Sequence, residues 1–203
     1  MNEFLLVAIG VLVASVVNLF HDNNSQKEKM MRDIRYTEQK LKEILEEMAA
    51  YLSDQPTGRD VWKDLRQLEE ELEDFLKEAY EYQENAYHSS SEYYSEYFEM
   101  RMNQCNVLHN LHYKIEKIRT IPKQAAVIAD YIRYLTDFVT ELNVPTLQLE
   151  KLSGIFESMK KEPLPESREE FENRAMLYHI LMDLEEFLIT KRRFVNREAK
   201  KGS

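Results

Sequence analysis

The chain opens with an apolar run that constrains its fold more than any other feature. Seventeen residues without a charge, FLLVAIGVLVASVVNLF, extend from Phe4 to Phe20. As an α-helix this run is about 26 Å long, close to the ~30 Å of a hydrocarbon core. A secretory signal needs a basic start and a small-residue cleavage site, and a buried soluble helix shows a polar stripe; the run has none of these features. We therefore predict a transmembrane helix over residues 1–22, with a signal peptide and a core helix as the alternatives.

One face of this predicted span carries Gly10, Ala14 and Asn18, each four residues after the last. Small residues let helix backbones approach each other in a membrane, and a side-chain amide there seeks a hydrogen-bond partner. The face predicts packing against other transmembrane helices of the same or a partner chain. The positive-inside rule places the rest of the chain in the cytoplasm, because basic residues follow the run and none precedes it. They are Lys27, Lys29, Arg32 and Arg35.

The remainder of the chain is predicted to be all-α. It has only 4 glycines and 5 prolines in 203 residues, too few for the frequent turns of a β-rich fold. Apolar residues recur every three or four positions in six stretches, which begin near Met30, Trp62, Tyr94, Ala125, Pro145 and Phe171. Asp60 can cap the second stretch, and the fourth reaches Leu142. Two capping boxes, Ser25 with Glu28 and Ser167 with Glu170, predict helix starts. We predict a cytoplasmic antiparallel bundle of about six helices over residues 23–197 and a basic disordered tail over 198–203.

Composition excludes several classes of function. The chain has 27 Lys and Arg against 37 Asp and Glu, a net charge of −10, which argues against a protein that neutralises nucleic-acid phosphates. It contains neither the P-loop nor the dinucleotide-binding glycine motif. Its single cysteine, Cys105, excludes an intrachain disulfide framework and a multi-cysteine metal site. We expect no enzyme activity, no cofactor and no nucleic-acid partner.

A metal-binding pattern on the predicted third helix is the first candidate site. Cys105, His109, His112 and Glu116 lie at i, i+4, i+7 and i+11. One straight helix brings only two or three of them to one ion, and Cys105 and His112 fall inside the apolar stripe. We interpret them as packing residues and expect neither a metal nor a catalytic residue.

A cluster of tyrosines is the second candidate. Six of the 12 tyrosines fall within residues 80–97, around the predicted break between the second and third helices at residues 88–91: Tyr80, Tyr82, Tyr87, Tyr93, Tyr94 and Tyr97. Packing is the simpler interpretation. The alternative is a site for an aromatic carboxylate, because stacked rings with a nearby cation suit such a ligand.

A polar cluster inside the bundle is the third candidate. Helical projection places Arg101 and Gln104 within the apolar arc of the third helix, and Arg174 and Glu185 beside that of the sixth. A buried guanidinium needs a partner, so we predict that Arg101 pairs with a carboxylate; the alternative is that it extends to water along the boundary. The candidate partners are Glu185 first, then Asp183 and Glu172.

Two helical stretches carry a family resemblance. The first is YFEMR, residues 97–101, with Gln104 and Leu108; the second is FENRA, residues 171–175, with Leu177, Leu181, DLE at 183–185, Phe187, Leu188 and Lys191. Both resemble the cytoplasmic C-terminal domain of bacterial aromatic acid exporter family proteins. The end of the apolar run, VNLF at residues 17–20, is similar to the last transmembrane helix that leads into that domain.

The resemblance implies a membrane domain of several spans, related to fusaric acid resistance permeases, followed by a helical cytoplasmic domain. Those upstream spans are missing here, so either Met1 is not the native start or the chain is a shortened paralogue. Because one helix cannot enclose a transport path, we expect no transport by this chain alone.

The expected function is that of the last span and cytoplasmic domain of a bacterial exporter-like protein of the plasma membrane, with a regulatory or assembly role in efflux. The alternative is a single-span, membrane-anchored interaction or scaffold protein. The expected partners are the lipid bilayer, other transmembrane helices and a second copy of the chain. An aromatic carboxylate is the candidate ligand.

Overall fold

The computed structural model describes residues 2–85 and 92–201, with side chains described for 25–84 and 92–201. These residues form six α-helices and no strand, which confirms the all-α prediction. The helices are α1 (Asn2–Leu52), α2 (Val61–Asn85), α3 (Glu92–Lys117), α4 (Ala125–Thr136), α5 (Thr146–Lys160) and α6 (Arg168–Lys201).

The first helix is longer than the sequence predicts. Helix α1 continues without a break over 51 residues, so the apolar run and the first bundle helix are one helix. The predicted helix start at Ser25 and Glu28 is therefore wrong. The segment that joins the two parts, HDNNS at residues 21–25, contains no glycine or proline. Each of its residues disfavours a helix interior by less than about 1 kcal/mol, so the helix passes through it.

Among the described residues, no helix combines the length and the apolar character that crossing a bilayer requires. The predicted span at Phe4–Phe20 and its packing face of Gly10, Ala14 and Asn18 lie outside the residues whose side chains are described. Both stay predictions.

The long helices form an antiparallel bundle around one apolar core. Helix α3 packs between α2 and α6, while α1 packs against α2 and α4. Ion pairs at both ends of α3 show the antiparallel direction of α6: Lys114 bonds to Asp183, and Glu96 pairs with Arg197. The short helices α4 and α5 complete the bundle between α1 and α6. Leucines from the four long helices are fully buried at its centre, among them Leu41, Leu45, Leu65, Leu108 and Leu184.

Two helix starts form as predicted. The Lys63 N–H donates to Asp60 Oδ1 at 3.0 Å, which caps the first turn of α2. At α6, the Glu170 N–H donates to Ser167 Oγ at 3.1 Å. The second bond of that capping box differs from prediction, because the Glu170 carboxylate accepts the N–H of Glu166 at 2.8 Å.

Two helix ends differ from prediction. Helix α4 ends at Thr136, not at Leu142, because carbonyls of the following segment bond to side chains of other helices. Helix α6 continues to Lys201, so the prediction of a disordered tail is wrong for residues 198–201. Its last turn is held to α3, since Lys201 Nζ lies 2.9 Å from carboxylate oxygens of both Glu92 and Glu96.

Candidate functional site

A cluster of polar side chains, which we call the polar centre, lies inside the otherwise apolar core. It joins α1, α3, α6 and residues 137–145, which we call the α4–α5 connection. Its members are Glu38, Tyr97, Arg101, Gln104, Glu141 and Lys191. Arg101 is only 1% exposed and Lys191 only 3%, so two basic side chains are withdrawn from water at one place.

Arg101 is surrounded by acceptors. Its Nε donates to the Tyr97 hydroxyl at 2.9 Å and its Nη1 to Gln104 Oε1 at 2.8 Å. Its Nη2 donates to the Val139 carbonyl at 2.6 Å and lies 3.6 Å from Glu38 Oε1. A guanidinium is tolerated in a core when its donors are satisfied in this way. Arg101 thereby ties α3 to α1 and to the α4–α5 connection.

Lys191 has fewer acceptors than Arg101. Its Nζ donates to the Glu141 carbonyl at 2.6 Å. It lies 5.6 Å from the ring centroid of Tyr97 and 5.4 Å from that of Phe194, a cation–π arrangement. Gln104 makes the other polar link to α6, since its Nε2 donates to the Phe187 carbonyl at 2.7 Å.

Burial shifts the proton affinities of this centre. Burial, together with the nearby Arg101 charge, lowers the pKa of Lys191 to about 7, against the opposing effects of Glu38 and Glu141. Burial raises the pKa of the Glu38 carboxyl, against the opposing effect of Arg101. It also raises the pKa of the Tyr97 hydroxyl. The centre therefore combines a permanent cation with a lysine that changes charge near neutral pH.

The structure confirms part of the predicted polar cluster. Arg101 and Gln104 are buried and in contact, so the alternative in which Arg101 reaches water is wrong. Its pairing with Glu185 is also wrong, because Glu185 is exposed and the carboxylate comes from Glu38 of α1. On α6 the face towards the core contains Leu184 and Leu188, and Glu185 follows Leu184 onto the outer side.

The other predicted members of the cluster have partners elsewhere. Arg174 bonds to Glu170 and to the Pro163 carbonyl near the start of α6. Asp183, the second predicted partner of Arg101, bonds to Lys114, and Glu172, the third, bonds to Arg168.

Sequence analysis missed three members of the polar centre: Glu38, Glu141 and Lys191. Lys191 follows Leu184 and Leu188 at helical spacing, so its place in the apolar stripe was a usable signal. Glu38 and Glu141 carry no such signal, because one lies on a helix rich in charges and the other in a connection.

Two residues of the metal-binding pattern, Cys105 and His112, are buried in the core, while His109 is half-buried at its edge and Glu116 is exposed. Cys105 is fully buried, and burial raises its thiol pKa to about 12. His112 is also buried, with its ring 4.9 Å from Trp62 and 5.6 Å from Tyr51 between centroids; burial lowers its pKa. The packing interpretation of these two is confirmed. No group of three or more candidate metal ligands converges within the described part of the chain, and the absence of a bound metal stays a prediction.

Four of the six tyrosines in the cluster have rings in contact with one another. The centroid distances are 5.7 Å for Tyr82–Tyr94, 5.6 Å for Tyr93–Tyr94 and 6.4 Å for Tyr93–Tyr97. Tyr80 is partly exposed and donates to Glu99. Tyr87 lies outside the described residues. The contacts fit the packing interpretation, and an aromatic carboxylate as ligand stays a prediction.

The fold and the polar centre define an all-helical domain whose first helix continues into an apolar run. The family comparison identifies that domain. A family model described as "Putative aromatic acid exporter C-terminal domain" matches residues 27–192, which cover most of the bundle. The chain belongs to this family, and the resemblance found in the sequence is confirmed.

The chain is also similar to two known proteins. The uncharacterized protein YqjA of Bacillus subtilis (strain 168) is 28% identical over 203 residues, 99% of this chain and 62% of that protein. The chain thus spans less than two thirds of the relative's length. A crystal structure described as a "putative membrane protein from Clostridium difficile 630" has a TM-score of 0.72 and 26% identity, and it covers 82% of this chain and 97% of that one.

Proposed function

We propose that this chain is the last transmembrane helix and the cytoplasmic C-terminal domain of an aromatic acid exporter-like membrane protein. In this proposal the domain regulates or assembles the efflux machinery and catalyses no reaction. The observation that carries the proposal is the family match, which begins at residue 27, seven residues after the apolar run ends at Phe20. The continuous helix α1 joins the two.

A continuous helix is a mechanical connection. At ~1.5 Å per residue, Glu38 lies about 27 Å beyond Phe20 along the same helix. The polar centre then receives a side chain directly from the helix that enters the membrane. A domain attached in this way senses a shift of that helix without a separate linker, which supports a regulatory role.

The proposed partners are the bilayer, neighbouring transmembrane helices and a second copy of the chain. Sedimentation of the purified chain in nanodiscs or micelles measures self-association. Calorimetric titration with benzoate, as a simple aromatic carboxylate, tests for ligand binding to the domain. Neither interaction is needed for the topology experiment that follows.

Topology gives the first test. A reporter cysteine at Pro56, in the turn between α1 and α2, is expected to escape a membrane-impermeant thiol reagent in intact cells and to react after lysis. Rapid labelling in intact cells contradicts the cytoplasmic location and the exporter proposal with it. Recovery of the chain in the soluble fraction contradicts the membrane span.

Efflux gives the second test. Cells with the intact gene are compared with cells that lack only the part encoding residues 23–203, after loading with a labelled aromatic acid. We expect the truncated strain to retain more of the labelled compound. Equal retention in both strains, with the membrane topology intact, favours the scaffold function over the exporter function.

A further inference from the structure

The α4–α5 connection is held to the bundle by the polar centre and by the buried side chain of Val139. The Val139 carbonyl accepts from Arg101, and the Glu141 carbonyl accepts from Lys191. The Glu38 carboxylate lies near the backbone of Glu141, which lowers the pKa of that carboxyl against the larger, opposing effect of burial. The Glu141 side chain accepts from the Tyr93 hydroxyl at 2.6 Å. Three helices therefore hold one short non-helical segment through adjacent contacts.

The outer side of the same connection has little packing. Leu142 is 88% exposed and Val144 is 50% exposed. The backbone hydrogen bonds inside the segment are local, such as that of Asn143 N–H to the Thr140 carbonyl at 3.3 Å. Loss of its inward contacts would leave few interactions to hold it, since exposed segments with few buried contacts open most easily.

Lys191 is the member of the polar centre that has, in the described part of the chain, too few hydrogen-bond acceptors for its charged form. An ammonium has three donors, and within the described residues the hydrogen bond that the structure gives it is the one to the Glu141 carbonyl. A second cation shares its surroundings, because Arg101 and Lys191 lie against the same Tyr97 ring. Lys191 therefore binds a proton more tightly when water surrounds its amine than when the polar centre is closed.

We propose that the polar centre is a proton-operated clasp: uptake of a proton by Lys191 releases the α4–α5 connection from the bundle, and loss of that proton closes it again. The proton comes from and returns to water, and no covalent bond changes. The groups that face Lys191 are Glu38 from α1, Arg101 and Tyr97 from α3, and Glu141 from the connection. Arg101 keeps its charge throughout the range of interest.

The proposal follows from linkage between proton binding and opening. A ligand shifts an equilibrium towards the state that binds it more tightly. The closed state binds the proton weakly, with a Lys191 pKa of about 7, whereas a solvated lysine has a pKa of about 10.4. The open-to-closed ratio therefore rises as pH falls, on the order of tenfold between pH 8.5 and pH 6. This behaviour belongs to the chain itself and does not depend on efflux.

Distance measurement between two spin labels tests the clasp on the full chain in phospholipid nanodiscs. The labels are placed at Glu70→Cys, on the outer face of α2, and at Leu142→Cys, in the connection, with Cys105→Ala to remove the native thiol. We expect a longer-distance population that grows on the order of tenfold from pH about 8.5 to about 6. Identical distance distributions at the two pH values overturn the proposal.

Variants assign the response to Lys191. Lys191→Met is expected to remain closed at both pH values, and Lys191→Arg, which cannot lose its charge, to be more open at both. Lys114→Met is the matched control, because Lys114 bonds to a carboxylate of Asp183 away from the connection; it should keep the full response. A response that survives in Lys191→Met overturns the proposal.

Glu38 is the other titratable group of the centre to check, although burial raises the pKa of its carboxyl, so that proton uptake by Glu38 would favour the closed state and oppose the response. Glu38→Gln should keep the pH response and move its midpoint to lower pH, because the variant removes a negative charge that favours protonated Lys191. Loss of the response in this variant, with retention in Lys191→Met, assigns the switch to Glu38 and overturns our assignment. Circular dichroism checks that each variant is folded. If Lys191→Met does not fold, carbon-13 titration of the lysine side chains decides the matter: a Lys191 midpoint near the ordinary ~10.4 contradicts the proposal.

Discussion

Arg101 and Lys191 lie against the same aromatic ring. The guanidinium carbon of Arg101 is 4.9 Å from the Tyr97 centroid, and the Lys191 ammonium nitrogen is 5.6 Å from it. When Lys191 is protonated the two charges repel each other, whereas the electron-rich ring attracts each of them. Each of the two basic groups also donates to a backbone carbonyl of the α4–α5 connection at 2.6 Å. Tyr97 thus separates two basic side chains that bond to one short segment of chain.

The first prediction concerns the hydroxyl of Tyr97. Tyr97→Phe keeps the ring but removes the acceptor for Arg101 Nε and the bond to Glu38 Oε1 at 3.3 Å. We expect a loss of about 1–3 kcal/mol in the free energy of unfolding, because a buried charged donor loses its partner. Urea denaturation measures this loss. Tyr80→Phe is the control: Tyr80 is 43% exposed, and its replacement should change stability by less than about 1 kcal/mol.

The second prediction concerns the ion pair between Arg101 and Glu38. Arg101→Met is expected to destabilise the fold by about 3–5 kcal/mol, since it also leaves the acceptors at Gln104 and Val139 unpaired. A double-mutant cycle with Glu38→Gln should show a coupling of about 0.5–3 kcal/mol. In the same cycle Glu185→Gln should be additive with Arg101→Met, because Glu185 is exposed. Coupling to Glu185 and none to Glu38 would contradict the structure.

The third prediction is the pH dependence of stability. Lys191 has a pKa of about 7 in the folded state against 10.5 for an unperturbed lysine. Between these values the unfolded chain binds more protons, so the contribution of Lys191 to stability is lost as pH falls from 10.5 towards 7 and then stays constant. In Lys191→Met, stability should fall less over this range, and the variant should be more stable than the wild type near pH 7, by an amount on the order of a few kcal/mol.

Urea melts between pH about 7 and about 9 measure the difference in slope between the two chains. Higher pH is avoided because Cys105 and Tyr97 have raised pKa values in the folded state, and stability from such groups is lost as pH rises. Equal slopes for wild type and variant would falsify the assignment of a lowered pKa to Lys191.

The fourth prediction concerns the thiol of Cys105. It is fully buried with its pKa raised to about 12, and the thiolate is the reactive form. We expect negligible reaction with Ellman's reagent at pH about 8 in the folded chain and full reaction in urea. An exposed cysteine at Leu142, placed in the Cys105→Ala background, should react at once under the same conditions. Rapid labelling of Cys105 in the folded chain would show that the α2–α3 interface opens readily.

The fifth prediction concerns metal. Elemental analysis of the purified chain should find no stoichiometric zinc, nickel or copper, because the residues of the pattern make packing contacts. His112 packs against two aromatic rings, and His109 Nε2 lies 3.5 Å from Glu69 of α2. About one metal ion per chain, lost in a His109→Ala and His112→Ala double variant, is the contrary result.

Helical periodicity predicted most of the fold because it reports burial directly. Trp62, Leu65, Leu68 and Leu72 face one side of α2 as their spacing requires, and Asp60 caps that helix. The continuity of α1 was not predictable in this way. A run of cap-favouring residues at 21–25 indicates a helix start, but propensities of less than about 1 kcal/mol per residue are too small to force a break in a long helix.

The polar centre shows where sequence reasoning stops. The periodicity of α3 places Arg101 in the core, but the position of its carboxylate partner depends on which helix lies opposite. Glu38 and Arg101 are 63 positions apart along the chain, and no local pattern relates them. The choice of Glu185 failed because one residue along a helix turns a side chain by about 100°.

Because α1 is one continuous helix, the length of the segment between the apolar run and Glu38 matters for the contact between Glu38 and Arg101. Each residue of a helix turns the next by about 100°, so the number of residues between Phe20 and Glu38 sets the direction in which Glu38 leaves the helix. Inserting one residue between Phe20 and Glu38 would turn the carboxylate by about 100° away from Arg101, whereas inserting seven would leave it within about 20° of its present direction and lengthen the helix by ~10 Å. A change in the number of residues between the apolar run and Glu38 therefore preserves the contact with Arg101 when it adds about two full helical turns.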